Sequence, residues 1–408
     1  MRLSSFSCVL LCLSIIACDT AIAGNTKALS ESCLGVDGAN LRYLPKVSSI
    51  GDASGVNGLT WDTLEPRAPR AGQHVYTGAN QARRMRAAFE REDRSIQLNL
   101  SVLNQWALEF DPDFQARSPQ DGKIGAGIKR IKPEHRTNWQ DAVTHVVQTL
   151  GVRYLQIGSE AENAWASPEG YAEAVRLAYE AAKLADPEVV VMVGGFNFGG
   201  YFTAPESLQK RYKTELIDRK MDFVRRFLAA VEGNFDVFCF HANRSAADIP
   251  LEVKWIRESM KTAAVSRPIW IDDMTSGPWL TGPTATQAER EWAEALGRRD
   301  PAAIRRYEAA QAEYAVTKLC EAYVAGVEKV FISSDTDWSF YYIPMWRHQG
   351  LVREDQTAKP VFRALKSFAG MIEGFSYAER LAPGRYRFQF KRAAPITVDI
   401  GQIVKDAL

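Results

Sequence analysis

Residues 139–160 read WQDAVTHVVQTLGVRYLQIGSE and join a helical pattern to an apolar strand. In the first half, apolar side chains beginning at Trp139 recur at three- and four-residue spacing, which is typical of a helix with one buried face. The second half, Val152–Gly158, is a short apolar run that predicts a strand buried on both sides. This strand ends on two polar residues, Ser159 and Glu160. The stretch therefore predicts an α/β fold in which polar side chains follow a buried strand.

The same helix and strand unit recurs along the chain. Strands joined by helices lie parallel, so the repetition predicts a parallel sheet covered by helices. We expect an eighth strand, third in chain order, within Asp111–Pro133. Seven apolar runs are predicted to be strands: Val56–Trp61, Ser95–Val102, Val152–Gly158, Val189–Gly194, Phe235–Phe240, Pro268–Ile271 and Val327–Ser333.

This pattern predicts a (β/α)8 TIM barrel with enlarged loops over residues 47–375, preceded by an N-terminal extension at 24–46. Residues 376–408 are predicted to form a short C-terminal β extension, because Arg385–Phe390 alternates with a period of two. A doubly wound open sheet is the alternative. No glycine-rich phosphate loop follows the first strand, which argues against a nucleotide-binding version of that fold.

The N-terminus has the pattern of an export signal, predicted to span residues 1–23. An apolar run, Phe6–Ala17, is followed by small residues before Gly24. In the competing interpretation, Ile15–Cys18 resembles a bacterial lipoprotein box, and Cys18 would carry a lipid anchor. Either way we expect an exported protein, secreted, periplasmic or anchored to a membrane as a lipoprotein. No other segment reaches the roughly 18 apolar residues of a transmembrane span.

Composition narrows the possible partners. The formal net charge is +1, so the chain carries no charge footprint for nucleic acid. Cleavage before Gly24 would leave only Cys33, Cys239 and Cys320. Their spacing predicts neither a metal site nor a disulfide framework, and we expect the protein to need no cofactor.

Acidic residues follow two predicted strands on opposite sides of the barrel. The fourth strand ends in Ser159-Glu160, and the seventh ends in Asp272-Asp273. Polar residues at the carboxyl ends of barrel strands are candidates for chemistry. A pair of carboxyl groups across a cleft can cleave a glycosidic bond, one protonating the leaving oxygen while the other attacks or activates water. Alternatively, these residues cap helices or pair with arginines.

Further motifs resemble the clan of (β/α)8 retaining glycoside hydrolases that includes cellulases, β-xylosidases and α-L-iduronidases. Residues 61–66, WDTLEP, resemble the clan's Trp-x-x-Leu-Glu-Pro, and Phe235–His241 resembles its sixth-strand motif. Gly350-Leu351 with Lys359-Pro360 resembles the pair after the eighth strand. The resemblance implies Glu160 as general acid/base and Asp273 as nucleophile.

Three departures from the clan's pattern surround the nucleophile. Ser159 replaces the usual Asn, Asp273 replaces Glu, and Asn243 replaces a Tyr. Because Asp is shorter by one methylene, retention, inversion or loss of hydrolysis are all open outcomes. Asp272 could supply the carboxylate instead. Strand alternation predicts that Asp272 points to the other face of the strand, which favours Asp273.

Several side chains are predicted to contact the sugar. Trp165 and Trp279 follow the two acidic motifs in loops and could stack on sugar rings, while Ser159, His241 and Asn243 could read hydroxyl groups. Glu65 is expected to anchor structure instead. Weaker candidates for sugar or rim contacts are Trp106, Trp338, Asn99, Asn104, Asp335 and Asp337.

These observations predict a glycoside hydrolase-like protein that acts on an extracellular or envelope polysaccharide or oligosaccharide. The alternative is a non-catalytic carbohydrate-binding or scaffold protein that kept the barrel and lost the chemistry. The three departures favour the alternative, whereas the retained Glu160 favours the enzyme. The sugar, its linkage and the oligomeric state are left open by the sequence.

Overall fold

The computed structural model describes residues 32–38, 41–70, 72–115, 126–203, 218–281, 285–338, 341 and 343–408. The predicted signal segment 1–23, with Cys18, lies outside the described residues. Among the helices that are described, none combines the length and the apolar character needed to cross a membrane.

Eight parallel strands close into a barrel, as the sequence predicts. Each strand pairs with the next along the chain, and the eighth pairs with the first. The strands, numbered here in chain order around the barrel, are β1 Leu34–Asp37, β2 Ala53–Thr60, β3 Ser95–Ser101, β4 Tyr154–Ile157, β5 Val190–Phe196, β6 Val237–Ala242, β7 Ile269–Thr275 and β8 Val330–Ser333.

The predicted position of the eighth strand is wrong. It is β1, Leu34–Asp37, which lies inside the range assigned above to an N-terminal extension. The range Asp111–Pro133 instead contributes to an antiparallel hairpin formed by Leu108–Gln115 and Ala126–Ile131. β1 contributes only two large apolar side chains, Leu34 and Val36, whereas the runs that predicted the equally short β4 and β8, Val152–Gly158 and Val327–Ser333, extend beyond the strands themselves. The runs beginning at Val56 and Ser95 consequently belong to the second and third strands.

Helices cover the outside of the barrel. Trp139 links two of them, because its Nε1 donates a hydrogen bond to the carbonyl oxygen of Ala174 at 3.0 Å. The described helices of eight residues or more are Ala79–Arg91, Arg136–Leu150, Pro168–Ala185, Asp218–Ala230, Asp248–Thr262, Gln287–Gly297, Pro301–Val324, Pro360–Ile372 and Ile400–Ala407. Shorter helical turns are Leu44–Val47, Trp61–Leu64, Pro133–His135, Ala161–Ala164 and Pro344–His348.

The barrel interior is a packed core in its lower part and polar above. Large apolar side chains, among them Tyr154, Trp270 and Phe331, form one buried cluster inside the strands. Gln97, Gln156 and other buried polar residues lie nearer the carboxyl ends. This layering closes one end of the barrel and leaves the other for a site, as is usual for the fold.

The C-terminal β extension is confirmed. Strands Phe375–Ala382, Arg385–Phe390 and Ile396–Asp399 form an antiparallel sheet. The sheet packs on the barrel's helical layer, and Tyr386 Oη donates a hydrogen bond to Glu321 Oε1 at 2.6 Å.

Candidate active site

A cavity of about 190 Å³ lies at the carboxyl ends of the barrel strands. Its walls are mostly polar. Three of the predicted site residues, Ser159, His241 and Asp273, line it together with Asp272, the alternative nucleophile, whereas Glu160 lies outside the lining, in contact with His241. The remaining lining residues are Asp37, Gln97, Asn99, Gln156, Thr275, Ser333, Ser334, Trp338, Trp346 and Gln349.

Asp272 and Asp273 both face this cavity, and the prediction that alternation separates them is wrong. On β6, Phe240 and His241 pair with Ile271 and Asp273, so Asp272 is an extra residue in the ladder. The pairing with β8 is irregular over the same residues. Such a β-bulge re-aims side chains and breaks strict alternation.

His241 lies among the acidic side chains of the site and contacts three of them. Its Nδ1 lies 3.3 Å from Glu160 Oε1 and 3.9 Å from Asp273 Oδ2. Its Nε2 lies 3.5 Å from Asp272 Oδ2 and 3.2 Å from Ser159 Oγ. Burial lowers the pKa of His241, but the charge and hydrogen bond of Asp272, with Glu160 and Asp273, raise that pKa well above its usual value. The three carboxylates therefore favour the imidazolium form, in which Nε2–H points toward Asp272 and Nδ1–H lies near Glu160 and Asp273.

Glu160 is held firmly at the end of β4. Its backbone is left-handed with φ 47°, and its amide donates to the carbonyl oxygen of Gly195 at 3.2 Å. Asn163 Nδ2 and Asn197 Nδ2 each donate to the carboxylate at 2.8 Å. Burial raises the pKa of Glu160, but the contact with His241 and the charge of that imidazolium outweigh burial, and the pKa lies below its usual range. In the empty site Glu160 is therefore ionised.

A hydrogen-bond relay supports the floor of the cavity. Gln97 Nε2 donates to Gln156 Oε1 at 2.8 Å, and Gln156 Nε2 donates to Asp272 Oδ2 at 2.6 Å. An ionised carboxylate can only accept hydrogen bonds, so the relay fixes which way both amides point. Asp272 Oδ1 and Asp273 Oδ1 are buried without a hydrogen-bond partner among the described residues.

Asp37, at the end of β1, is a cavity residue that the sequence analysis missed. Ser333 Oγ donates to its Oδ2 at 3.3 Å. Burial, followed by the charges of Asp273 and Asp272, raises the pKa of Asp37 to about 8. The only signal in the sequence was a single acidic residue after a four-residue apolar run.

The aromatic wall differs from the prediction. Trp338 and Trp346 line the cavity, and Trp346 was not predicted. Trp165 is buried in the core against Tyr171, with ring centroids 5.5 Å apart. Trp279 packs on Trp346 at 5.9 Å and stacks under the Arg244 guanidinium at 4.0 Å, outside the cavity lining. Proximity in sequence to the acidic motifs therefore did not predict which rings face the site.

Of the other candidates, Asn99 lines the cavity and Asn243 does not, although Asn243 is buried near it. Asn104 Nδ2 donates to the backbone oxygen of Glu65 at 3.1 Å. Lys359 Nζ binds Asp337 Oδ1 at 2.7 Å, which places that carboxylate in an ion pair.

Trp106 and Asp335 also lie outside the cavity lining. Trp106 Nε1 donates to the backbone oxygen of Glu65 at 3.3 Å, and Asp335 is buried, accepting from the amide of Val352 through its own backbone oxygen at 3.0 Å. Within the described part of the chain, no group of three His, Cys, Asp or Glu side chains has a geometry that could hold a metal ion.

Comparisons by sequence find little. No protein-family model matches the chain, and no curated protein matches it.

Comparison with solved structures finds many proteins of similar fold. A family 39 glycoside hydrolase from the gut symbiont Bacteroides cellulosilyticus WH2 is 15% identical with a TM-score of 0.58, covering 89% of this chain and 69% of that one. A glucosidase from Croceicoccus marinus is 12% identical with a TM-score of 0.51, covering 91% and 81%. An exo-β-1,4-mannosidase from Opitutaceae bacterium strain TAV5 is 14% identical with a TM-score of 0.50, covering 83% and 59%. The chain thus spans less than two thirds of the mannosidase. At these identities the likeness concerns architecture, and the chain has a (β/α)8 barrel of glycoside hydrolase-like fold.

Proposed function

We propose that the protein is a glycoside hydrolase acting on an extracellular or envelope polysaccharide or oligosaccharide. Glu160 is the general acid/base, and Asp273 is the nucleophile or the base that activates water. One observation carries this proposal. Glu160, just after β4, and Asp273 on β7 both lie within 4 Å of His241 Nδ1, so two carboxylates converge on one imidazole at the edge of the cavity that Asp273 and His241 line. A glycosidic bond needs a carboxyl group on either side.

The proton for the leaving group is stored on His241. A general acid must hold a proton near the working pH, and the pKa of Glu160 is too low for that in the empty site. His241 Nδ1 lies 3.3 Å from Glu160 Oε1, close enough to return the proton as the glycosidic oxygen gains charge. In this mechanism Glu160 transfers a proton that His241 supplies.

Asp273 has the free acceptor that the second role requires. Its Oδ1 has no hydrogen-bond partner among the described residues, and the side chain lines the cavity. Such an oxygen can attack the anomeric carbon or position a water molecule. The choice depends on whether the bulge at Asp272 compensates for the shorter side chain.

A second function, sugar binding without cleavage, is favoured by the low pKa of Glu160. If the proton stays on His241 when sugar binds, the site has no general acid, yet its polar walls and Trp346 could still hold a saccharide.

Hydrolysis of a mixed panel of polysaccharides and aryl glycosides separates the two functions. The proposal requires turnover that Glu160→Gln and Asp273→Ala both abolish, while the exposed-residue variant Glu373→Gln keeps it. Binding of a saccharide by all variants with turnover by none would establish the binding protein instead. The anomeric configuration of the first product, followed by NMR, identifies retention or inversion.

We also propose export, on the basis of residues 1–23 alone. Mass spectrometry of the native protein tests this: a start at Gly24 indicates a secreted or periplasmic protein, and an acylated Cys18 indicates a lipoprotein. A mature protein that retains Met1 would contradict both routes.

A further inference from the structure

The cavity has an excess of negative charge. Its lining includes three aspartates, Asp37, Asp272 and Asp273, and one imidazolium, His241, but no lysine or arginine among the described lining residues. Two buried lysines lie near this lining without belonging to it. Lys220 Nζ binds Glu162 Oε1 at 3.1 Å, and Lys318 Nζ binds the carbonyl oxygen of Thr275 at 2.9 Å, from where its charge offsets part of that of Asp273.

Unpartnered groups in the cavity are mostly acceptors. Gln97 is only 2% exposed, and its Oε1 has no hydrogen-bond partner among the described residues. The relay through Gln156 to Asp272 fixes this orientation, since turning the Gln97 amide would set two amide oxygens against each other. Asp272 Oδ1 and Asp273 Oδ1 add two more free acceptors. Among the described residues, the unpartnered donors in the lining are Gln349 Nε2, His241 Nδ1 and Trp346 Nε1, none of which belongs to the acceptor pair of Gln97 and Asp37.

Asp37 and Gln97 form a small cradle over Gly55. A Cβ on Gly55 would clash with both Asp37 Oδ1 and Gln97 Oε1, so the two oxygens are neighbours and the glycine leaves the space beside them open. Both oxygens lie beside that one position, so a single bound cation can contact both. Burial and the charges of Asp273 and Asp272 raise the pKa of Asp37 to about 8, which favours its protonated form at neutral pH until a cation binds.

We propose that the cavity binds a saccharide bearing a protonated primary amine, with the ammonium group held by Asp37 Oδ1 and Gln97 Oε1. The inference rests on the proposed function in one respect, that the cavity is a sugar site. An ammonium group has three donors and no acceptor, which matches the cradle. A sugar carboxylate would meet two acceptor oxygens in the cradle and the charges of Asp272 and Asp273 nearby, so it should bind less well than the amine.

The probes are glucosamine, galactosamine and mannosamine, each compared with its neutral parent sugar, its N-acetyl form and, for glucose, glucuronate. Binding to the full chain is measured by ligand-observed NMR at pH 6.5. We expect at least one amine to bind about tenfold more tightly than its neutral parent, because a hydrogen bond to a charged group is stronger than a neutral one. Glucuronate is expected to bind weakest.

The variant Asp37→Asn tests whether the Asp37 carboxylate is the group that prefers the amine. It keeps the shape of the side chain and removes its charge, so the ratio of the affinity for the amine to the affinity for its neutral parent should fall to about one. The matched control is Asp355→Asn, which changes an exposed aspartate outside the cavity lining.

Calorimetry in two buffers of different ionisation enthalpy adds a second readout. Amine binding below pH 8 should release the Asp37 proton from the natural protein, and the Asp37→Asn variant should release none.

The outcomes separate this inference from the proposed function. Binding of none of the amines, equal binding of amines and neutral sugars, or an unchanged preference in Asp37→Asn would overturn the inference. Cleavage of neutral glycosides without a preference for amines would support the proposed function and contradict the amine inference. A preference for amines without cleavage of any glycoside would support the inference and contradict the proposed hydrolysis.

Discussion

In the described part of the chain, His74 and His241 each lie between carboxylates, and only the cluster around His241 faces the cavity. At the outer cluster, Glu65 Oε1 binds His74 Nδ1 at 2.7 Å, and Glu65 Oε2 accepts from Trp61 Nε1 at 3.1 Å. His74 Nε2 binds Asp141 Oδ2 at 3.1 Å. At the inner cluster, His241 meets three carboxylates, two of which keep an oxygen without a partner among the described residues.

The difference shows how to separate structural from functional polar groups of the same type. Each carboxylate oxygen of Glu65 has a protein partner, so the fold uses its full bonding capacity. Asp272 and Asp273 each keep an oxygen without a partner among the described residues, in the cavity lining, where a ligand or water can reach it. A buried acceptor without a partner costs about 1–3 kcal/mol, and a fold retains such groups where a substrate supplies the partner.

The strongest test of the inner cluster is Asp273→Ala. Losing the nucleophile or base should remove glycoside turnover to background in a chromogenic assay, and added azide should restore part of it by entering the vacated space. Asp273→Glu tests whether the Asp carboxylate is too short to contact the anomeric carbon. If it is, the longer side chain should raise the rate or switch the product to retained configuration. If the pocket instead fits Asp tightly, Glu should clash with its walls and activity should be lost.

The control is Asp355→Asn, far from the cavity, which should keep full activity. Full activity in Asp273→Ala would show that this carboxylate has no catalytic role. The catalytic role would then pass to Asp272, which the bulge also places in the cavity.

Glu160→Gln is expected to have the next largest effect. An amide cannot pass on the His241 proton, and general acid catalysis typically supplies ~10²–10⁴-fold in rate. Substrates with poor leaving groups should lose most of that factor, whereas aryl glycosides with good leaving groups should lose much less. Comparison of kcat/KM on the two substrate classes makes the measurement. An equal loss on both would mean that Glu160 does not donate the proton.

Glu65→Gln tests the outer cluster by stability instead of activity. The amide keeps its shape but puts a donor where His74 or Trp61 needs an acceptor, which should lower the free energy of unfolding by about 1–3 kcal/mol. Urea denaturation followed by tryptophan fluorescence measures this, with Glu373→Gln as the exposed control. The folded variant should keep its kcat. A drop in kcat without a change in stability would show that Glu65 contributes to the site.

The sequence predicted the barrel and both acidic motifs because long apolar runs alternating with helices leave a strong periodic pattern. The sequence-based prediction was wrong or incomplete where the placement of a side chain depends on a single residue. The bulge that brings Asp272 into the cavity adds one residue to β7, which no pattern of apolar side chains shows. Asp37 follows a strand of four residues, and Trp346 reaches the cavity from a loop distant in sequence. Such placements are decided by tertiary packing.

The smallest predicted effect concerns pH, and it compares the two histidines directly. If His241 stores the catalytic proton, turnover should fall on the alkaline side as the imidazole loses that proton. The carboxylate of Asp272 lies 3.5 Å from His241 Nε2 and contributes to raising its pKa well above the usual value. In Asp272→Asn the amide oxygen can still accept from Gln156, but the negative charge is gone. The pKa of His241 should therefore fall, and the alkaline limb of kcat/KM should move to lower pH by about one to three units, the usual effect of an opposite charge at this distance. Asp141→Asn makes the corresponding change beside His74, outside the cavity, and should leave the profile where it was. A limb that stays fixed in Asp272→Asn, or that moves equally in both variants, would show that the catalytic proton is not held on His241.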